Sequence, residues 1–584
     1  MNLIPQPQQV RTLSDAQGKT AVKLVACECA DPRVAKAAAK LPTAADGTPL
    51  YIRVEAGKPE SYTLTTTPEQ ITIVGGDAAG AFYGIQTLRQ MFDGLNFYLK
   101  DGEEPQGLPS VEIVDFPGLA HRGFYHDVTR GKIPTLETLK ALVDSLVYTK
   151  HNSLQLYVQH CYPFKEYGDF IEKNGYITPE EIRELDEYCH ENFVDFIPSI
   201  STFGHLYELL MLDQYKHLQE IADYKQEMHF WPGRMRHHTI DPTQEESFAV
   251  ITSLIDQYCE VFKYTEYFNI TCDETFDLVN GKHAGQDTGK LYTTFVTRLV
   301  EYLQAKGKKV MMWADIILQY PEYIEKLPKG VIFLNWCYRP ESPRMKNLPQ
   351  LGPMPVPQIN CPGTTTWSRL IENPVVASEN ILELAEYAYK YNLMGLLNTN
   401  WGDYGNPCSI ELCMYDLALG GAVAWNRETR ADYAFNQAIN ALVYKRKNGH
   451  KYVYMVSSAH ERVNWNRLVQ NWSNRDYGEF FQLRWESEAQ VKSAIAIANE
   501  AIARLTDDDS WGADNYREEL LCAARGVIVL AQATARINGY KVEETVDPQA
   551  WYEEYAALWM RSNKASELYR IKEFVDYLDG LERH

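Results

Sequence analysis

From about residue 116 to residue 430 the chain alternates short apolar runs with longer stretches whose apolar positions recur at helical spacing. His121 to Val128 is the first run, and Leu136, Leu139, Leu142, Val143, Leu146 and Val147 form the stripe that follows it. Ser153 to Val158 predicts a second strand. Thr178-Pro179-Glu180-Glu181 then has the form of a capping box with proline at the first helical position, and it opens a helix with Ile182, Leu185, Tyr188 and Cys189 inward. Val194 to Ile200, Tyr267 to Thr271, Lys309 to Trp313, Val331 to Asn335, Val356 to Cys361 and Gly395 to Asn400 predict strands three to eight. Eight β-α units over 116–430 predict an α/β fold, a (β/α)8 TIM barrel. The alternative, a doubly wound open sheet, lacks its Gly-rich phosphate loop after the first strand.

The flanks read differently. Over 1–115, Pro5 and Pro7 open an extended strand, and Ser61 to Thr65 and Gln70 to Val74 alternate as half-buried strands do. Gly75-Gly76-Asp77 predicts a turn, and Phe82, Ile85, Leu88 and Met91 predict an amphipathic helix over Ala79 to Phe92. This is the pattern of a small α+β accessory domain bracing the barrel. Over 431–584 the alternation stops. Trp485 to Leu505, Tyr516 to Asn538 and Ala550 to Leu581 read as long helices rich in Ala, Glu, Leu and Arg. They form a helical C-terminal domain, packed on the barrel or used for self-association; a homodimer through the barrel or these helices is compatible with the pattern.

Composition narrows the partners. Lys+Arg 57 against Asp+Glu 78 gives a net charge of −21, which argues against nucleic acid and anionic membrane surfaces. No apolar run has the length of a membrane span, and Met1 to Ala30 lacks the basic start and apolar core of a signal peptide. The eleven cysteines are scattered without a C-x-x-C pair, so no disulfide framework or zinc site is expected. Reduced thiols and no leader predict a cytoplasmic location. No cofactor and no metal are expected.

A barrel of this kind carries its chemistry at the C-terminal ends of its strands. Those ends bring Arg130, His160 and His205 after strands one to three, and the adjacent acids Asp273 and Glu274 after strand four. Trp313 and Asp315 follow strand five, Trp336 strand six and Trp367 strand seven. Trp401 and Asp403 end strand eight. Barrel interiors favour Val, Ile and Leu, so tryptophans on four successive strand ends predict an aromatic-walled pocket rather than core filling. Two neighbouring carboxylates push each other's pKa apart, so that one stays protonated and suits general acid work at a glycosidic oxygen. Carboxylates and tryptophans in one mouth predict a carbohydrate site.

Further stretches make the pattern recognisable: Gly80-Ala81-Phe82-Tyr83-Gly84-Ile85-Gln86-Thr87-Leu88-Arg89-Gln90, Arg122-Gly123-Phe124-Tyr125-His126-Asp127, Ile197 to His205, and Trp401-Gly402-Asp403. With Asp273-Glu274 between them in order, the chain resembles glycoside hydrolase family 20, the β-N-acetylhexosaminidases, over roughly residues 60–430. The resemblance implies retaining, exo-acting hydrolysis of glycans ending in β-linked N-acetylglucosamine or N-acetylgalactosamine, in which the substrate's own 2-acetamido oxygen attacks the anomeric carbon. It implies that Glu274 is the acid and base, and that Asp273 holds the acetamido N–H. Arg122 resembles the family's arginine for the 3- and 4-hydroxyls, Trp313, Trp336 and Trp401 its aromatic wall, and Asp403 stands where the family usually has Glu.

The sequence also departs from that pattern. Strand two ends in Tyr157-Val158-Gln159-His160 where the family usually has a carboxylate supporting the strand-three histidine, so His160 and His205 are expected to face each other without a charge partner. The family's strand-seven tyrosine is replaced by Cys361-Pro362-Gly363-Thr364-Thr365-Thr366-Trp367, which leaves Tyr338, after strand six, as a candidate for the acetamido oxygen. Asp127 and Arg130 read as a structural ion pair, His237-His238 beside Asp241 as an exposed loop, and Cys272 as a small buried residue.

Overall fold

A computed structural model of the chain describes residues 1–100, 102–104, 106–171, 175–221, 230–236, 238–339, 356–508 and 515–582. Six strands precede the barrel: β1 (Gln9–Gly18), β2 (Val22–Glu28), β3 (Thr48–Val54), β4 (Tyr62–Thr66), β5 (Ile71–Gly75) and β6 (Leu108–Asp115). They form one mixed sheet in the order β1-β6-β4-β5-β3-β2. Alternating positions of β4 and β5 bury Tyr62, Leu64, Ile71 and Ile73, and helix Ala78–Asp93 belongs to the same core. Asp77 caps that helix through the Gly80 N–H at 2.7 Å. A Cβ on Gly80 would lie 2.0 Å from the Ser61 carbonyl oxygen, so only glycine lets the helix start this close to the sheet. The extended strand expected after Pro5 and Pro7 is β1, although nearly the whole strand is exposed and nothing in it alternates.

The barrel closes from β7 (His121–Asp127), β8 (Ser153–Val158), β9 (Asp195–Ile200), β10 (Tyr267–Asn269), β11 (Lys309–Trp313), β12 (Ile332–Trp336), β13 (Gln358–Cys361) and β14 (Gly395–Asn400), with β14 returning to β7. Every pair is parallel, as intervening helices require. β10 stops two residues before its expected end because Thr271 (φ 55°) and Cys272 (φ 61°) leave the extended region. The barrel interior is filled by Tyr125, Tyr157, Ile197, Met311, Trp313, Ile332, Leu334, Ile359, Cys361 and Leu397.

Beneath the barrel, its bottom rim is pinned to the N-terminal sheet by buried charge. Arg122 is fully buried and clasps Glu60 through two nitrogens at 2.8 and 2.9 Å. Lys150 meets Asp115 at 2.8 Å, and the Trp425 indole donates to the same Asp115 at 2.9 Å. After the barrel come helices Gly449–His460, Trp465–Tyr477, Glu488–Asp507, Asn515–Asn538, Pro548–Ser562 and Leu568–Asp579. The last expected helix is therefore two, because 563–567 leaves helical geometry to run beside the barrel mouth. By length and composition Tyr516–Asn538 could cross a membrane, contrary to the expectation of no such run. It is a core helix by burial, with 83% of its most apolar window inside the protein.

Candidate active site

The end of β10 shapes the site. Thr271, Cys272 and Glu274 all hold positive φ (55°, 61° and 51°), a region that non-glycine residues occupy at a cost of about 1–3 kcal/mol each. This turn overrides strand alternation and aims the neighbouring side chains of Asp273 and Glu274 at one target. That target is His205, itself at φ 56°, whose Nε2 lies 3.4 Å from Asp273 Oδ2 and 3.2 Å from Glu274 Oε2. Burial penalises the charge on His205, but Tyr157, Asp273 and Glu274 outweigh it and hold the imidazole well above its ordinary pKa. The expected pairing of His205 with His160, without a carboxylate, is thus corrected: His205 has two. His160 is buried against Phe170, and burial followed by the charge of Arg234 pushes its pKa down to about 3.

Around these acids lies a cavity of about 160 Å³ lined by Arg130, His205, Met235, Asp273, Glu274, Trp336, Tyr338, Trp367, Trp401 and Asp403. Tyr338 stacks on Trp336 with ring centroids 5.2 Å apart, meets Trp367 at 5.1 Å, and accepts a hydrogen bond from the Trp401 indole at 2.7 Å. Burial holds the Tyr338 phenol well above its usual pKa, so it keeps its proton.

Two sequence expectations require correction. Arg122 is not in the pocket: it is the second residue of β7, at the opposite end of the strand from the mouth, and its guanidinium is used up on Glu60. The pocket arginine is Arg130, three residues past the end of β7. It pairs with Asp127 at 3.0 Å, as expected, but also lies 3.9 Å from Asp403 and 4.8 Å over the Tyr157 ring. Trp313 is not a wall either. It is fully buried in the barrel interior, 5.3 Å from Tyr125 and 6.0 Å from Trp401, and forms the layer beneath the pocket.

Asp403 is half-buried, and desolvation raises its pKa to about 6 against the opposing pull of Arg130. Met235 carried no signal in the sequence, being an isolated apolar residue in a loop. His238 is buried beneath Tyr207 rather than exposed, while His237 lies outside the described residues. Its neighbour Asp241 gathers with Glu220 and His283, with candidate ligand atoms all within 4.8 Å of one another, although no third ligand was expected. His283 donates to Glu220 at 2.9 Å and Lys282 stands 3.5 Å from Asp241, so this group is closed by its own ion pairs. Cys272 is buried, and desolvation raises its thiol pKa.

The chain matches the model of the glycosyl hydrolase family 20 catalytic domain over residues 119–348, and that of family 20 domain 2 over residues 1–116. It belongs to glycoside hydrolase family 20. Among family relatives it is 26% identical over 369 residues to a β-hexosaminidase of Porphyromonas gingivalis, covering 54% of this chain and 46% of that protein. It is 33% identical over 164 residues to a β-hexosaminidase of Akkermansia muciniphila, covering 25% of this chain and 32% of the relative. The chain thus spans less than half the length of these curated relatives. A family 20 chitobiase of Flavobacterium johnsoniae shares the fold across 98% of this chain and 99% of its own, with a TM-score of 0.61 at 16% identity. A family 20 exo-β-N-acetylglucosaminidase of Vibrio harveyi covers 77% of this chain and 78% of its own, with a TM-score of 0.60 at 16% identity.

Proposed function

We propose that the protein is an exo-acting, retaining β-N-acetylhexosaminidase that releases terminal β-linked N-acetylglucosamine or N-acetylgalactosamine with the help of the substrate's 2-acetamido group. The arrangement that carries this reading is the Asp273–Glu274 pair converging on His205 in the wall of the tryptophan-lined cavity. Glu274 protonates the leaving oxygen and then activates the water that opens the oxazolinium intermediate. Asp273 accepts the acetamido N–H and stabilises the positive charge that develops there. Tyr338, whose oxygen already accepts from Trp401, has its own O–H to offer the acetamido oxygen. Arg130 and Asp403 receive the sugar hydroxyls, a charged donor and an acceptor side by side.

The test is turnover of aryl β-N-acetylglucosaminide and β-N-acetylgalactosaminide beside the plain β-glucoside, with an acetamido-derived thiazoline as inhibitor. Turnover of the N-acetyl sugars alone, blocked by the thiazoline, is expected. Binding of the thiazoline without turnover of any substrate would instead mark a sugar-binding barrel, and absence of both would end the family reading of the pocket. Glu274→Gln should slow substrates with poor leaving groups far more than activated aryl glycosides, since only the former need the acid.

A further inference from the structure

The loop that carries Arg130 does not stand on the barrel alone. Residues Ser562 to Glu567, between the last two helices, run antiparallel to it. The Thr135 N–H donates to the Ser562 carbonyl at 3.0 Å, and the Lys564 N–H to the Ile133 carbonyl at 2.8 Å. The Glu567 N–H and the Ser566 hydroxyl both donate to the carbonyl of Gly131, at 3.2 and 2.7 Å. Gly131 follows Arg130 directly and holds φ 119°, a conformation side chains other than hydrogen rarely tolerate.

From the same segment the Glu567 carboxylate enters the mouth and takes the Arg234 guanidinium in a two-pronged grip, at 2.6 and 2.7 Å. On its other side Arg234 donates to Glu208 at 2.5 Å, and Arg570 approaches Glu567 at 3.3 Å. Arg234, Glu208 and Glu567 are all buried. Burial opposes the charge on Glu567, yet Arg234 and Arg570 overcome it and hold the carboxyl at about 2. The residue is an anion at any working pH. Arg234 is followed immediately by Met235, which lines the sugar cavity together with Arg130.

Given the N-acetylhexosaminidase reading above, we propose that Glu567, supplied by the C-terminal helices, is a positioning residue for the sugar pocket. Its backbone N–H fixes the turn after Arg130, and its carboxylate fixes Arg234 and thereby the Met235 wall. One residue thus ties two walls of the cavity to a helix pair outside the barrel. A buried ion pair is a poor device for holding two domains together, because apolar packing of similar volume does as well or better. It is a good device for fixing direction, since a fork of parallel hydrogen bonds allows one geometry. The consequence falls on sugar binding, because Arg130 and Met235 meet the ring and not the breaking bond.

The experiment compares the full chain with Glu567→Gln, Glu567→Asp and Arg234→Lys. It reads KM and kcat on aryl β-N-acetylhexosaminides, N-acetylglucosamine affinity by tryptophan fluorescence, and urea unfolding. Glu567→Gln should raise KM and the sugar Kd about tenfold while kcat stays within about twofold, the mark of lost positioning in ground and transition state alike. Glu567→Asp should recover part of the loss. Arg234→Lys, which keeps the charge and loses the fork, should reproduce it even if Glu567→Gln fails to fold. Glu554→Gln, in a pair with Arg525 among the same helices, should affect unfolding alone. Unchanged KM and Kd in the Glu567 and Arg234 variants, with altered unfolding only, would overturn the proposal. A wild-type chain that neither binds nor turns over the sugar would remove the hexosaminidase reading and this proposal with it, a failure distinguished by the wild type itself.

Discussion

The Asp315 carboxylate accepts the backbone N–H of Glu274 at 3.0 Å. This bond spans the ends of two neighbouring strands, β10 and β11, and holds Glu274 at φ 51°, where its carboxylate faces His205. Without the acceptor, the Glu274 peptide is free to relax toward an ordinary backbone region, and the side chain leaves its place opposite His205. Asp315→Ala should therefore lower kcat by about ten- to a hundredfold with a small change in KM, since misplacement by about 1 Å has effects of that order. Steady-state kinetics on one aryl N-acetylhexosaminide decide it. A loss confined to KM would mean that Asp315 serves sugar binding and not the acid.

Asp403 makes the pH dependence of binding predictable. Burial raises its pKa to about 6, with Arg130 pulling the other way. Above that value it is an anion that accepts a hydroxyl hydrogen bond; as pH falls through it, the acceptor is protonated and the pair with Arg130 weakens. kcat/KM should thus fall on the acid side with an inflection near 6, carried by KM. Asp403→Asn should lower kcat/KM about tenfold at pH 7, as expected for losing one charge-assisted hydrogen bond to substrate, and should remove that inflection. Persistence of the inflection in the variant would assign it to another group of the site.

Much of the molecule could be read from residue order because barrel strands are local. Every barrel strand lies within two residues of its expected bounds, and Asp273, Glu274, Trp336, Trp401 and Asp403 reach one cavity because they stand at or just past strand ends. What failed was direction along one strand. Arg122 lies near the start of β7 and Arg130 beyond its end: the strand-end rule put Arg130 in the mouth, and only the family resemblance put Arg122 there as well. Trp313 failed for another reason: as the last residue of β11 it still obeys inward alternation and stays under the pocket. Met235, Arg234 and Glu567 left no trace, since their meeting depends on contacts between distant segments with no periodicity to reveal them.

The two arginines separate in a stability experiment. Arg122 is fully buried and bound to Glu60, which is itself mostly buried. Arg122→Met should cost about 3–5 kcal/mol of stability, the range for breaking a buried pair from one side, because Glu60 is left without its partner. The KM of the folded fraction should not move. Arg130→Met should do the reverse, raising KM strongly. Urea unfolding and kinetics on both variants test this; a KM effect in Arg122→Met would return that residue to a role in the site.

A second buried acid pair, away from the pocket, predicts how stability depends on pH. Glu372 and Asp416 are both fully buried. Glu372 accepts the N–H groups of Tyr415 at 3.3 Å and Asp416 at 3.0 Å, at the start of helix Met414–Trp425. Desolvation raises Glu372 to about 8, and desolvation followed by the proximity of Glu372 raises Asp416, with Arg369 opposing. The folded chain therefore keeps a proton on the pair that the unfolded chain releases above about pH 4. A raised pKa contributes stability that is complete below the unfolded value and is lost as pH climbs through the folded one. Between about pH 4.5 and 8 the loss should approach 1.4 kcal/mol per pH unit for one retained proton. Asp416→Asn removes one of the two raised acids, while Glu372 stays raised by its own burial. The variant should unfold at higher urea than wild type at pH 8, with the difference shrinking toward pH 5. Parallel wild-type and variant curves across that window would show that Asp416 holds no extra proton in the folded protein.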